Sequence, residues 1–158
     1  MNIENVGVMS PGDMGQAVAI QLQAKGLKVC TALEQRSERT RGLAREAGLT
    51  DVGSVARLVA ECDVVLSIMD PGAAVDFAHV AVDALRASGG DTLIVDCNAI
   101  APDTVHHIAG LIEQAGGRFL DAGIIGRRRA ERPKPIFTYR GPLPPISNNL
   151  PGRSSSCM

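Results

Sequence analysis

Short apolar runs alternate with helical segments along the first 126 residues of this 158-residue chain. Each run is continuous in Val, Ile and Leu instead of alternating apolar with polar residues, which is typical of parallel strands buried on both faces. Helices between such strands form right-handed crossover connections. The sequence therefore predicts an α/β fold with a doubly wound, mostly parallel sheet and helices on both faces. The predicted strands are NIENVGVM, LKVCTAL, DVVLSIM, TLIVDC and RFLDAGII.

One domain with an apolar core is expected for a chain of this length in which 45% of the residues are apolar. The chain has no run of 18 apolar residues, and its start lacks the features of a signal peptide. We therefore expect a cytoplasmic protein with no membrane partner. No metal site or disulfide is expected, because the four cysteines are scattered without a C-x-x-C pair. They are Cys30, Cys62, Cys97 and Cys157.

The charge distribution divides the chain after Gly126. Residues 1–126 hold 9 Lys and Arg against 16 Asp and Glu, whereas residues 127–158 hold 7 against 1. The second segment also carries six of the nine prolines and a serine run. We predict a dinucleotide-binding domain over 1–126 and an Arg/Pro/Ser-rich tail over 127–158, with no C-terminal helical domain.

Three interpretations of this tail remain open. It is a truncated or frame-disrupted end, which we favour, or a disordered arm that pairs with the acidic body or a partner. The third interpretation is a nucleic-acid arm, which six excess positive charges permit. Only Phe137 and Tyr139 could stack on bases, so we do not expect a nucleic-acid partner.

A glycine-containing loop, SPGDMG, stands between the first strand and the first helix. It lacks the first glycine of the dinucleotide pattern G-x-G-x-x-G, which permits a tight turn, but Ser10 with Pro11 can supply that turn. Gly12 would let the backbone approach a pyrophosphate, Gly15 would let the helix pack on the strand, and the first helical amides would face the phosphates. The loop therefore predicts a cofactor site. Its residues are Ser10, Pro11, Gly12, Asp13, Met14 and Gly15.

Four segments in order resemble the β-hydroxyacid dehydrogenase superfamily, which includes 3-hydroxyisobutyrate and 6-phosphogluconate dehydrogenases. The first is the N-terminal signature, carried here by Gly7, Met9, Gly12, Met14 and Gly15. DVVLSIMDPGAAV resembles the family's strand and loop over the nicotinamide, LIVDCNAIAPDTV its D-x-S-T-x-x-P segment, and FLDAGIIG its D-A-P-V-S-G-G strand. The residues of these segments are most similar to those of the 6-phosphogluconate-dehydrogenase-like branch.

The resemblance implies a Rossmann-type fold and an NAD(P)-dependent oxidoreductase that transfers hydride between the nicotinamide and a small hydroxy acid. Met69 and Asp70 would contact the cofactor. Asn98 stands at the family's serine position, where it would hold the substrate carboxylate, and Gly123 would approach the substrate from the other side. The alternative for Asn98 is a turn residue at the end of its strand.

The cofactor form depends on the end of the second strand, LEQRSERT. An acidic residue such as Glu34 would bind the ribose of NAD, whereas an arginine would pair with the 2′-phosphate of NADP. Arg36 and Ser37 match the Arg-Ser/Thr pair of the superfamily's NADP users, and Gln35 stands where its NAD users have Asp. We prefer NADP, with NAD as the alternative. A plainer interpretation makes Arg36 a solvated charge and Ser37 a helix cap.

No catalytic residue is identified. The family's catalytic lysine belongs to a C-terminal helical domain, which also completes the dimer, so a homo-oligomer is implied where that domain is present. The lysines here are Lys25, Lys28 and Lys134, and the adjacent His106 and His107 cannot both face one site. Two hypotheses remain, the cofactor domain of an oxidoreductase with little activity of its own, and a non-catalytic dinucleotide-binding module or remnant.

Overall fold

The computed structural model of the chain describes residues 3–125 and 136–140. The strands in these ranges are β1 Asn5–Met9, β2 Lys28–Thr31, β3 Thr50–Asp51, β4 Val64–Ser67, β5 Leu93–Asp96, β6 Arg118–Ile125 and β7 Ile136–Arg140. The helices are α1 Asp13–Ala24, α2 Glu38–Glu46, α3 Val55–Glu61, α4 Ala74–Ser88 and α5 Pro102–Gln114, and a short 3₁₀ turn covers Pro71–Ala73.

The seven described strands form one sheet in the order β3-β2-β1-β4-β5-β6-β7. The strands from β1 to β6 run parallel to their neighbours, and β7 runs antiparallel to β6. Each continuous apolar run of the sequence lies in one of the parallel strands, because residues of both faces are buried. The predicted doubly wound, mostly parallel sheet is confirmed.

Two apolar layers enclose the sheet. On one face, Val6 and Val8 of β1 pack with Val18 and Ala19 of α1. On the other face, Met9 belongs to the layer built largely from α3, α4 and α5. Successive residues of β1 thus contribute to opposite layers, as the strand geometry requires. The helices on both faces are also as predicted.

Strand β7 carries the sheet beyond the compositional boundary at Gly126. It pairs with the last five residues of β6, from Asp121 opposite Arg140 to Ile125 opposite Ile136. The division of the chain into 1–126 and 127–158 stays a prediction. The rest of the predicted tail, residues 127–135 and 141–158, lies outside the described residues.

Three of the cysteines, Cys30, Cys62 and Cys97, are buried free thiols, and Cys157 lies outside the described ranges. Within these ranges no group of three or more His, Cys, Asp or Glu side chains is arranged to hold a metal ion. No described helix combines the length and the hydropathy that a membrane span needs.

Candidate cofactor site

The loops that could bind a ligand meet at one edge of the sheet. The parallel strands β1, β2, β4, β5 and β6 all end there, and β1 lies between β2 and β4. The chain therefore leaves β1 at the point where the strand order reverses. Doubly wound sheets bind their ligands in the crevice at this point.

Ser10, Pro11 and Gly12 form a tight turn at the end of β1. The Gly12 N–H donates to the Ser10 carbonyl (2.8 Å), which closes a three-residue turn around Pro11. The Ser10 N–H donates to the carbonyl of Ile68 (2.8 Å) and so ties the turn to the end of β4. Serine and proline thus supply the turn that a first glycine would otherwise allow.

The two glycines of the loop have different environments. A Cβ added at Gly15 would overlap the Ser10 carbonyl oxygen, so only glycine lets α1 lie this close to the turn. A Cβ added at Gly12 would meet no atom within 4 Å. Gly12 also caps α1 without a side-chain hydrogen bond, which leaves the cap without an acceptor for the helix amides. The first turn of α1, with the amides of Asp13 and Met14, is suited to an anion.

Two adjoining clefts flank this turn and together form what we call the groove. The central cleft, of about 510 Å³, is lined by Ser10 and Gly12 on one side and by Met69 and Asp70 on the other. The second cleft, of about 500 Å³, lies at the end of β2 and is called the β2 cleft. Both volumes are of the size that small-molecule ligands occupy. The clefts share the lining residues Met9, Arg36, Val55 and Val80.

The β2 cleft contains both of the side chains that bear on the cofactor form. Glu34 and Arg36 line it, and Gln35 between them has a left-handed backbone with φ of 57°. Ser37 Oγ accepts a hydrogen bond from the Thr40 N–H (3.3 Å) and caps α2. Ser37 therefore has the cap role of the plainer interpretation, and its predicted cofactor contact stays a prediction.

A partly buried hydrogen-bond network connects the ends of β4 and β5. Asn98 Oδ1 accepts from the Met69 N–H (2.8 Å), and Asn98 Nδ2 donates to Ser67 Oγ (2.9 Å) and Asp96 Oδ2 (3.1 Å). The Asn98 N–H donates to Asp96 Oδ1 (2.8 Å). Asn98 is thus a strand-end residue of the kind given as its alternative role, and a substrate carboxylate would have to replace one of these bonds. Its substrate role stays a prediction.

The Asp96 carboxyl is buried, with 2% of its surface exposed. Burial raises its pKa above the ordinary value, the hydrogen bonds from Asn98 lower it, and the charge of Asp121 raises it. Its oxygens face Asn98 and Ser67, so it closes the strand end and is not aimed at a ligand as a base would be.

A third cleft, of about 360 Å³, lies between the ends of β5 and β6. Asn98 and Gly123, the two residues predicted to bind substrate, both line it. Burial raises the pKa of the Cys97 thiol in this cleft to about 12, which keeps the thiol protonated and a poor nucleophile. Thr138 of β7, which sequence reasoning missed, approaches Gly123 and donates to its carbonyl (3.4 Å).

Among the described residues, the lysines and the paired histidines that the sequence offers for proton transfer do not enter these clefts. Lys25 follows α1 and Lys28 begins β2, at the edge of the sheet opposite the groove, and Lys134 lies outside the described residues. His106 and His107 are exposed on α5. Sequence reasoning also missed Val55 and Val80, which form an apolar wall of the groove and carry no signal that separates them from core residues.

The fold and the groove define a dinucleotide-binding domain. Residues 5–137 match the family described as the NAD binding domain of 6-phosphogluconate dehydrogenase. The chain belongs to this family, which confirms the resemblance seen in the sequence, and it is an NAD(P)-binding domain.

Relatives of known sequence and structure share this domain. A mitochondrial 3-hydroxyisobutyrate dehydrogenase of Drosophila melanogaster is 30% identical over 125 residues, 78% of this chain and 37% of the relative. The 3-hydroxyisobutyrate dehydrogenase of Pseudomonas aeruginosa is 28% identical over 123 residues, 77% of this chain and 41% of the relative. The chain thus spans about two fifths of the length of these relatives.

A solved structure also matches the fold. It is a conserved protein of unknown function described as structurally similar to 3-hydroxyacid dehydrogenases, with a TM-score of 0.68 and 36% identity. The match covers 78% of this chain and 44% of that one.

The two loop glycines give a test of the packing. Gly15→Ala should lower the free energy of unfolding by about 1 to 3 kcal/mol, because its Cβ overlaps the Ser10 carbonyl and forces the turn or the helix to move. Gly12→Ala should change it by less than about 0.5 kcal/mol, because its Cβ enters open space. Urea unfolding measures both, and equal losses would contradict the close packing of Gly15 on the Ser10 carbonyl.

Proposed function

We propose that the groove binds NADP(H) or NAD(H) in one orientation. The pyrophosphate lies on the Ser10–Gly15 loop, the adenosine half in the β2 cleft and the nicotinamide half in the central cleft beside Met69 and Asp70. The observation that carries this proposal is the contrast between the two loop glycines, of which Gly15 is packed and Gly12 faces open space in the cleft. In dinucleotide loops the second glycine of the pattern, which is Gly12 in this chain, lets the backbone approach the phosphates.

We propose NADP as the preferred form, with NAD as the alternative. Arg36 lines both clefts of the groove and can pair with a 2′-phosphate as a charge-assisted donor. Glu34 lines the β2 cleft and favours NAD, since a carboxylate accepts from the ribose hydroxyls and repels a phosphate. The preference rests on Arg36 reaching the adenosine ribose.

The activity we propose is that of an oxidoreductase of the β-hydroxyacid dehydrogenase type, which transfers hydride between the nicotinamide and a small hydroxy acid. The names of the two relatives support this class. The cleft with Asn98 and Gly123 is the proposed place for the substrate, because it follows β5 and β6 on the side of the groove where the nicotinamide would end. We also propose a cytoplasmic location, and a homo-oligomer where a C-terminal helical domain is present.

A second candidate function is a dinucleotide-binding module without turnover. The position of Lys25 and Lys28 at the far edge of the sheet favours it, since neither can transfer a proton at the groove. The two candidates predict the same cofactor binding and differ in catalysis.

The first test of the binding proposal is Gly12→Val. The valine side chain would fill the space where the phosphates must approach the backbone, so dinucleotide binding should be lost while the fold is retained. Calorimetric titration with NADPH and NADH measures binding, and Ile20→Val, at an exposed position of α1, is the control for a substitution in this region. Affinity equal to that of the unchanged chain would show that the pyrophosphate lies elsewhere.

The second test concerns the cofactor form. Arg36→Ala should weaken NADPH binding by about 1.5 to 3 kcal/mol, the contribution of a hydrogen bond to a charged group, and leave NADH binding nearly unchanged. The control is Arg39→Ala, which removes the same charge at an exposed position of α2 outside the groove. Equal losses for the two cofactors would assign Arg36 a structural role.

The third test separates the two candidate functions. The 158-residue chain should bind cofactor but turn over β-hydroxyacids poorly, because a missing proton-transfer group alone costs about 10²- to 10⁴-fold in rate. A dehydrogenase assay over a panel of β-hydroxyacids, run beside the cofactor titration, measures this. Turnover near about 10 per second, typical of enzymes, would mean that another group, first of all Lys134, transfers the proton.

A further inference from the structure

Each polar atom of the Asn98 side chain has a hydrogen-bond partner within the protein. Its oxygen accepts from the Met69 N–H, and its two amide hydrogens go to Ser67 Oγ and Asp96 Oδ2. The orientation of the amide is fixed, because a backbone N–H needs an acceptor and a carboxylate needs a donor. Asn98 therefore joins the loop after β4 to the loop after β5 through three hydrogen bonds of its side chain.

The partner that matters for the groove is Met69. Met69 lines the central cleft, and in the described structure its N–H has no role in a helix or strand ladder, because β4 ends at Ser67. The bond from this N–H to Asn98 (2.8 Å) holds the backbone between β4 and the turn at Pro71–Ala73 at Met69. Backbone bonds of Ile68 with Met9 and Ser10 hold the same segment one residue earlier. Asn98 itself lines the neighbouring cleft between β5 and β6.

The geometry of the groove determines which half of a dinucleotide this contact would affect. In the proposed orientation the adenosine half lies toward the end of β2, where doubly wound domains bind the first ribose. The other half then extends past the Ser10–Gly12 turn toward β4, where Met69 and Asp70 form the wall. The backbone that Asn98 holds lies on this side of the turn, away from the β2 cleft.

We propose that Asn98 is a positioning residue, which acts through the Met69 backbone to set the nicotinamide side of the groove. The inference rests on the proposed binding of NADP(H) or NAD(H). It assigns the Asn98 amide a role different from direct contact with a substrate carboxylate, because each of its polar atoms is already bonded. Ser67 and Asp96 belong to the same hydrogen-bond network, since they fix the orientation of the amide that holds Met69.

The test compares ligands that differ by the nicotinamide half. Calorimetry would compare the Kd of NADH with that of ADP-ribose, and the Kd of NADPH with that of 2′-phospho-ADP-ribose. Both comparisons are made for the unchanged chain and for Asn98→Ala. We expect Asn98→Ala to raise the Kd of the dinucleotides about tenfold and to leave the Kd of the two shorter ligands within about twofold. An effect of equal size on both ligands of a pair, or on neither, overturns the inference.

The matched control is Asp63→Ala. Asp63 lies just before β4, at the edge of the sheet opposite the groove. Its Oδ2 accepts hydrogen bonds from the backbone N–H groups of Glu4 and Asn5 (both 2.9 Å). This substitution also removes strand-end hydrogen bonds, so it should lower the unfolding midpoint while the ratio of the two Kd values stays unchanged. A change of that ratio in Asp63→Ala as large as in Asn98→Ala would reduce Asn98 to a merely structural role.

A second variant keeps the test usable if Asn98→Ala does not fold. Ser67→Ala is nearly isosteric and removes one acceptor of the Asn98 amide, so it should raise the dinucleotide Kd about two- to threefold with ADP-ribose unchanged. Equal changes for both ligands in this variant count against the inference. Failure of the unchanged chain to bind either ligand would overturn the proposed function itself, which is a different result from any of these.

Discussion

The close approach of α1 to the turn after β1 is the constraint on which the site depends. Gly15 makes it possible, because any side chain at this position would overlap the Ser10 carbonyl. The approach brings the start of α1 to the point where the strand order reverses. The Ser10–Gly12 turn, which α1 contacts, is tied to the end of β4 by the hydrogen bond from the Ser10 N–H to the Ile68 carbonyl. The central and β2 clefts adjoin around this one contact, so the packing of a helix on a strand also determines the shape of the groove.

Most of the fold could be predicted because its signals are local and repeated. Continuous apolar runs identified the strands that are buried on both faces. The short strand Thr50–Asp51 has no such signal, since two residues cannot show a period. The direction of β7 could not be read either, because an edge strand that pairs on one side depends on the path of the preceding chain.

The candidate site was predictable where one segment builds it and not where several elements meet. The Ser10–Gly15 loop is local, and its turn and its helix packing follow from the residue types at each position. Val55 and Val80 come from two helices that meet only through the crossover, and in the sequence they resemble core residues. The sequence likewise does not give the distances that decide whether Ser37 caps a helix or binds a phosphate. The structure contains the cap, a hydrogen bond from the Thr40 N–H to Ser37 Oγ.

Asparagine at position 98, where the family resemblance places serine, has a physical consequence for the whole strand end. An amide offers one acceptor and two donor hydrogens, so Asn98 can satisfy Met69, Ser67 and Asp96 at once, whereas a hydroxyl has a single hydrogen to donate. The buried Asp96 needs those donors, because burial raises its pKa and the bonds from Asn98 oppose the shift. The residue that stabilises this carboxyl therefore also holds the Met69 backbone in the wall of the groove, so the two depend on the same side chain.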